Sequence, residues 1–193
     1  MTGEPGWLVT GSGRCGTGYL ATILTECGLN VGHERWWRLD GDDPVPGLAG
    51  DVSWLGCFDH SYRGRVLAQV RDPYMAIPSI YAREQTHPYW LLRRCTIPLS
   101  GDWPVDAATV WLRYTAHAVE RAERWWRVED ITGDLLADVF TIDPGMAAAA
   151  VDATPRDVNA GEPVDYPWPV DHPVWREVRH LARYLGYDVS MLP

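Results

Sequence analysis

An apolar run that breaks into clustered glycines and resumes at helical spacing constrains this chain more than any other feature. Gly6-Trp7-Leu8-Val9-Thr10 reads as a short buried strand. Gly11-Ser12-Gly13-Arg14-Cys15-Gly16 follows as a tight turn. From Thr17 to Cys27 the apolar residues Leu20, Ile23, Leu24 and Cys27 recur at helical spacing, with Gly28 placed to stop the helix. Such a strand, turn and helix N-terminus form an anion cradle, because successive backbone N–H groups point inward and the helix dipole favours negative charge. Thr17 adds a hydroxyl donor, and Arg14 a planar fork able to bridge two phosphate or sulfate oxygens. A ligand-free turn would need the glycines alone; their company with Arg14 and Thr17 favours phosphate binding.

The rest of the chain alternates strand and helix signals. Leu29 to Gly32 reads as a brief second strand, Asp40 to Gly50 as a loop rich in Asp, Pro and Gly, and Asp51 to Phe58 as a short helix. Arg65-Val66-Leu67-Ala68-Gln69-Val70-Arg71 has the continuous apolar run of a central parallel strand. It ends at Asp72-Pro73, a helix start, and the helix from Tyr74 to Glu84 carries Pro78 as a bend. A long helix follows from Asp106 to Glu123, then a strand over Trp125 to Val128. A helix opens at Glu129-Asp130-Ile131 and ends near Phe140, an irregular segment spans Thr141 to Pro169, and a last helix covers His172 to Leu185. The pattern predicts one domain over residues 1–193 with a three-layer P-loop NTPase-like α/β fold, a central parallel sheet flanked by helices. In such sheets ligands lie beyond the carboxyl ends of the strands.

Composition narrows the chemistry. All seventeen basic residues are Arg and none is Lys, which excludes the usual Walker ATPase or GTPase and any Schiff-base enzyme, whatever codon bias contributes to the missing Lys. A net charge of -9 argues against nucleic acid as a partner. Cys15, Cys27, Cys57 and Cys95 are too scattered for a metal knuckle or disulfide framework, and reduced thiols are expected. No signal peptide and no membrane span are read, so a cytoplasmic location is expected. A phosphatase-type thiol at Cys15 would need an Arg where Ala21 stands.

The run Gly11-Ser12-Gly13-Arg14-Cys15-Gly16-Thr17-Gly18-Tyr19-Leu20 resembles the 5′-phosphosulfate loop of sulfotransferases, with Arg14 for the family's loop cation and Cys15 where a Ser is usual. Val70-Arg71-Asp72-Pro73 with Ser79 matches the family's second motif, a strand-end Arg followed eight residues later by a Ser, which together hold the 3′-phosphate of the nucleotide. Gly32-His33-Glu34, Asp51-Val52-Ser53-Trp54-Leu55 and Arg127-Val128-Glu129-Asp130 also resemble family segments. The resemblance is firm from Trp7 to Tyr81 and rests on pattern beyond. It implies a sulfotransferase using 3′-phosphoadenosine 5′-phosphosulfate (PAPS) as donor, without a metal. The nucleotide would be held by residues 11–18, Arg71 and Ser79, with Arg14 on the leaving phosphate and Glu34, or else His33, as general base. Glu129 and Asp130 are read as helix caps, Trp54 as a core or stacking residue, and Arg156 and Asn159 as weaker phosphate contacts. The acceptor is a small molecule, carbohydrate or lipid bearing a hydroxyl or amine, and the aromatic-rich surface leaves room for a homodimer. Two other readings stay open: an Arg-bearing P-loop kinase, and a nucleotide-binding protein without catalysis.

Overall fold

Short apolar strands buried on both sides can satisfy their backbone only by pairing with one another, and here they do so in a single parallel sheet. The computed structural model describes residues 3–37, 45–86, 97–156 and 165–193. Its strands are β1 (Trp7–Thr10), β2 (Val31–His33), β3 (Gly50–Val52), β4 (Arg65–Val70) and β5 (Arg124–Arg127), and every pairing is parallel. The spatial order is β2-β3-β1-β4-β5, a P-loop-like α/β topology as the sequence predicts. The helices are α1 (Thr17–Glu26), α2 (Pro73–Thr86), α3 (Trp103–Arg121), α4 (Gly133–Phe140), α5 (Pro144–Ala153) and α6 (Val174–Tyr184).

Alternation along the strands divides the core in two. Val9, Val52 and Leu67 face a layer that includes Leu20, Ile23 and Leu24 of α1, Leu136 of α4 and Ala147 of α5. Ala68 and Val70 face the opposite layer, with Ile77 of α2, Trp111 and Tyr114 of α3 and Val178 of α6. The chain leaves β1 through α1 toward β2 and leaves β4 through α2 and α3 toward β5. The order therefore reverses between β1 and β4, and their carboxyl ends border the crevice where such sheets bind ligands.

Several elements differ from the sequence reading. Asp51 to Phe58 is not a helix: Gly50–Val52 pairs with both β1 and β2, and only Leu55–Phe58 winds as a 3₁₀ turn. The pairing depends on Gly50, where a Cβ would stand 2.1 Å from the Trp7 ring. The helix ending at Phe140 opens at Gly133, not at Glu129, because Thr132 is its cap and accepts from Leu135 N–H. Within Thr141 to Pro169 a helix was missed: Asp143 accepts from Met146 N–H, Pro144 takes the first turn, and α5 follows. The start of α3 lies at Trp103 because Pro104 fits a first turn and the buried Asp106 carboxylate accepts from Ser100 and Gly101 N–H. Cys15, Cys27 and Cys57 are free thiols, and Cys95 lies outside the described residues. Among the described residues no helix is long and apolar enough to cross a membrane.

Candidate anion-binding site

The loop between β1 and α1 is shaped by two glycines and held from below by one buried amide. A Cβ on Gly11 would stand 2.2 Å from the Gln69 carbonyl oxygen and 2.8 Å from Cys15 Sγ, so only glycine lets the loop leave β1 against β4. Gly16 has a left-handed φ of 87°, and a side chain there would also meet Val128 at 2.8 Å. Gln69, fully buried, donates through Nε2 to the Cys15 carbonyl at 2.8 Å and accepts from Trp126 Nε1 at 3.2 Å. No side chain caps α1 and no acid stands in its first turn among the described residues, so nothing acidic competes there with an incoming anion. Gly13 and Ser12 are buried in the loop, and Gly18 lies half-buried in the first turn of α1. Cys15 is fully buried and its thiol is pushed up to about 12 by burial. It lends the loop its backbone, and a thiolate nucleophile is ruled out at neutral pH.

Arg14 joins this loop to the second motif. Its backbone adopts a left-handed φ of 67°, and its Nε donates to Ser79 Oγ on α2 at 3.0 Å. Arg71, at the end of β4, donates to the Arg14 carbonyl at 3.1 Å, while its own carbonyl accepts from Trp111 Nε1. Asp72 starts α2 by accepting from Tyr74 N–H. Two motifs 57 residues apart in the chain thus meet through Arg14.

The third part of the site follows β2. His33 Nε2 lies 3.1 Å from Thr17 Oγ1, within hydrogen-bond distance, and 3.9 Å from Glu34 Oε1, outside it. Glu34 itself has a left-handed φ of 55°. The turn that sets this conformation is anchored by Asp51, whose buried carboxylate accepts from the N–H groups of Arg35, Trp36 and Trp37 at 3.2, 3.1 and 3.5 Å. Gly32 must be glycine because Asp51 Oδ1 would stand 2.2 Å from any Cβ. Burial and, next, the Asp51 charge raise the Glu34 carboxyl to about 7, against the opposing pull of the Trp54 indole, Arg83 and Arg14. Desolvation lowers the His33 imidazole below its ordinary value, which keeps the ring neutral at physiological pH.

These charges make the crevice cationic. Arg14 is lowered from its ordinary value by burial first, then by the neighbouring charges of Arg83 and Arg71. The charges of Arg83 and Arg71 thus act on Arg14 beside the partly protonated Glu34, an arrangement that an anion relieves. Sequence reasoning missed Arg83, although its position four residues after Ser79 puts both on one face of α2. It also missed Gln69 and Asp51, polar residues inside otherwise buried strands.

The other candidates have partners away from the loop. Glu129 does not cap a helix; it accepts from Asp72 N–H and Tyr187 O–H, both at 3.1 Å. Asp130 does not cap one either and instead pairs with Arg127. Trp54 is buried against Tyr114, and Trp37 donates to Asp59. Arg156 reaches the Glu129 carbonyl at 3.4 Å, beside β5, and Asn159 lies outside the described residues. Among the described residues no cluster of His, Cys, Asp or Glu could hold a metal ion. The chain matches no protein-family model, no curated protein and no solved structure.

Proposed function

We propose that this protein is a sulfotransferase that takes a sulfuryl group from PAPS and delivers it to a hydroxyl or amine. The observation that carries the reading is the meeting at Arg14 of a glycine loop on a helix N-terminus with a strand-end Arg and a helix Ser, Arg14 Nε to Ser79 Oγ at 3.0 Å and Arg71 to the Arg14 carbonyl at 3.1 Å. Two phosphate-binding elements on neighbouring strands suit a nucleotide with phosphates at both the 5′ and the 3′ position.

The donor carries a sulfuryl group on a phosphate leaving group: transfer breaks the bond from sulfur to the 5′-phosphate oxygen, which keeps the electron pair, and forms a bond from sulfur to the acceptor atom, which loses its proton. The loop N–H groups and Arg14 stabilise charge on the departing 5′-phosphate. Arg71 and Ser79 hold the 3′-phosphate. Glu34 accepts the acceptor's proton, and a carboxyl group near pH 7 matches a base that must be recharged at neutral pH. His33, hydrogen-bonded to Thr17 at 3.1 Å, stands beside that carboxylate as the second candidate base.

Calorimetric titration with adenosine 3′,5′-bisphosphate, AMP and magnesium ATP tests the proposal. The bisphosphate is expected to bind at least about tenfold more tightly than AMP, the increment of one charge-assisted phosphate contact. Tighter binding of magnesium ATP would overturn the reading in favour of a kinase. Bisphosphate binding without donor turnover, and with no loss of affinity on replacing both Glu34 and His33, would favour a nucleotide-binding protein without catalysis.

A further inference from the structure

Resting on the sulfotransferase reading, we infer that Glu129, held by Tyr187, is a positioning residue that fixes the backbone of Arg71 and so supports the site's preference for a nucleotide carrying a 3′-phosphate. The ladder between β4 and β5 ends at the pair Val70 and Arg127, and Arg71 is the first residue beyond it. The peptide that joins Arg71 to Asp72 is held from two sides instead. Its carbonyl, that of Arg71, accepts from Nε1 of the fully buried Trp111 of α3 at 3.1 Å, and its N–H, that of Asp72, donates to Glu129 Oε1 at 3.1 Å. A peptide group is planar, so partners on its carbonyl and its N–H together fix the rotation of that plane, and with the strand before it the direction in which the Arg71 side chain leaves the backbone. That direction is used at once, since the Arg71 guanidinium donates to the Arg14 carbonyl at 3.1 Å. The carbonyl and side chain of Asp72 are committed to α2, where they accept from Ala76 and Tyr74 N–H. Glu129 is exposed, so holding it in one rotamer costs side-chain entropy. Tyr187 offsets that cost: its O–H, on a half-buried ring just after α6, donates to Glu129 Oε2 at 3.1 Å. One carboxylate thus ties the residue proposed for the 3′-phosphate to the C-terminal segment through two hydrogen bonds.

The test uses two ligands that differ by the 3′-phosphate, because a residue acting through Arg71 changes the affinity for one and not for the other. Calorimetry with adenosine 3′,5′-bisphosphate and with AMP is run on the wild type, Glu129→Ala, Glu129→Gln, Tyr187→Phe, Arg71→Ala and the double variant Arg71→Ala with Glu129→Ala. Glu129→Ala is expected to weaken the bisphosphate by about fivefold and to leave AMP within about twofold. Glu129→Gln, which keeps an acceptor for Asp72 N–H, should recover most of the loss. Tyr187→Phe, which removes one hydroxyl and keeps the ring, should weaken the bisphosphate by about threefold, and it carries the test if Glu129→Ala does not fold. With Arg71 already replaced, Glu129→Ala should change the affinity no further, since the two residues act through one contact. Equal weakening of both ligands, no weakening, or a loss that persists in the Arg71→Ala background would show that Glu129 does not act through Arg71. A lower melting point in the ligand-free variants, with the ratio of the two affinities unchanged, would overturn the inference as well, because a merely structural clasp behaves that way. If the wild type does not prefer the bisphosphate to AMP, the sulfotransferase reading itself fails and the inference falls with it.

Discussion

Two strand ends of the same sheet carry an Arg within reach of acidic residues, and they behave in opposite ways. At β5, Arg127 forms a two-pronged pair with Asp130, donates to the Gly186 carbonyl, and is raised above its ordinary value, first by the Asp130 hydrogen bond. Beside it Glu129 is occupied by Asp72 N–H and Tyr187 O–H. In the crevice of β1 and β4, Arg14 is lowered by burial and by two further guanidinium groups, and the nearest carboxyl, Glu34, is itself held toward its neutral form. The first region has matched its charges internally and works as a clasp between β5, α2 and the segment after α6. The second gathers cations around Arg14, and its nearest carboxyl is held toward the neutral form by burial and by Asp51. Sequence alone makes the two look alike, since Arg71-Asp72 and Arg127-Val128-Glu129-Asp130 have the same kind of composition; in the structure the electrostatic shift is downward at Arg14 and upward at Arg127.

The sharpest way to break the comparison is Arg14→Ala, which should lower turnover of PAPS by about a thousandfold, the scale of removing one stabiliser of transition-state charge. Release of adenosine 3′,5′-bisphosphate, with water or an acceptor taking the sulfuryl group, is the readout. Glu34→Gln should lower that turnover by about a hundredfold and remove the limb that rises with pH through about 7 in the wild type. The same variant should be more stable at pH 8. Glu34 is raised from 4.5 to about 7 on folding, so the folded state holds the extra proton between those values and loses stability as pH climbs through them. Removing the charge returns roughly 3 kcal/mol above pH 7, measurable by urea denaturation, and no gain over the same range would show the carboxyl to be better solvated than its surroundings indicate.

Arg71→Ala should weaken adenosine 3′,5′-bisphosphate by about tenfold or more, whereas Arg127→Ala should leave its affinity within about twofold and reduce stability instead. A loss of affinity on changing Arg127 would erase the contrast between the two regions. The smallest effect is expected at Thr132→Ala, which removes the cap of α4 near the clasp and should cost about 1 kcal/mol in denaturation with nucleotide binding untouched.

The first half of the site was legible because its signals are local. Gly11, Gly16, Arg14 and Thr17 lie within one strand-turn-helix, and Arg71 and Ser79 are fixed by the end of β4 and the start of α2. Asp51 and Gln69 were not legible because their roles arise only when strands distant in sequence pair. Asp51 serves the turn after β2, and Gln69 supports a loop 54 residues away. The three-residue β3 was read as helix because so short an element carries no periodicity. Arg83 shares the helix face of Ser79, yet nothing local distinguishes it from a solvated surface Arg until α2 is laid against the loop. At β5, Glu129 and Asp130 were read as helix caps from their order in the chain; Glu129 is taken instead by the distant Asp72 N–H and Tyr187 O–H, and Asp130 by Arg127 three residues before it.

On this reading the crevice of β1 and β4 is an anion site while the end of β5 is closed. Thermal denaturation with adenosine 3′,5′-bisphosphate at a hundred times its dissociation constant tests it most directly, using the wild type, Arg71→Ala and Arg127→Ala. Stabilisation of about 2.7 kcal/mol is expected in the wild type and in Arg127→Ala, with about half of it or more lost at the same ligand concentration in Arg71→Ala. Equal stabilisation of the wild type and Arg71→Ala, or a loss confined to Arg127→Ala, would contradict it.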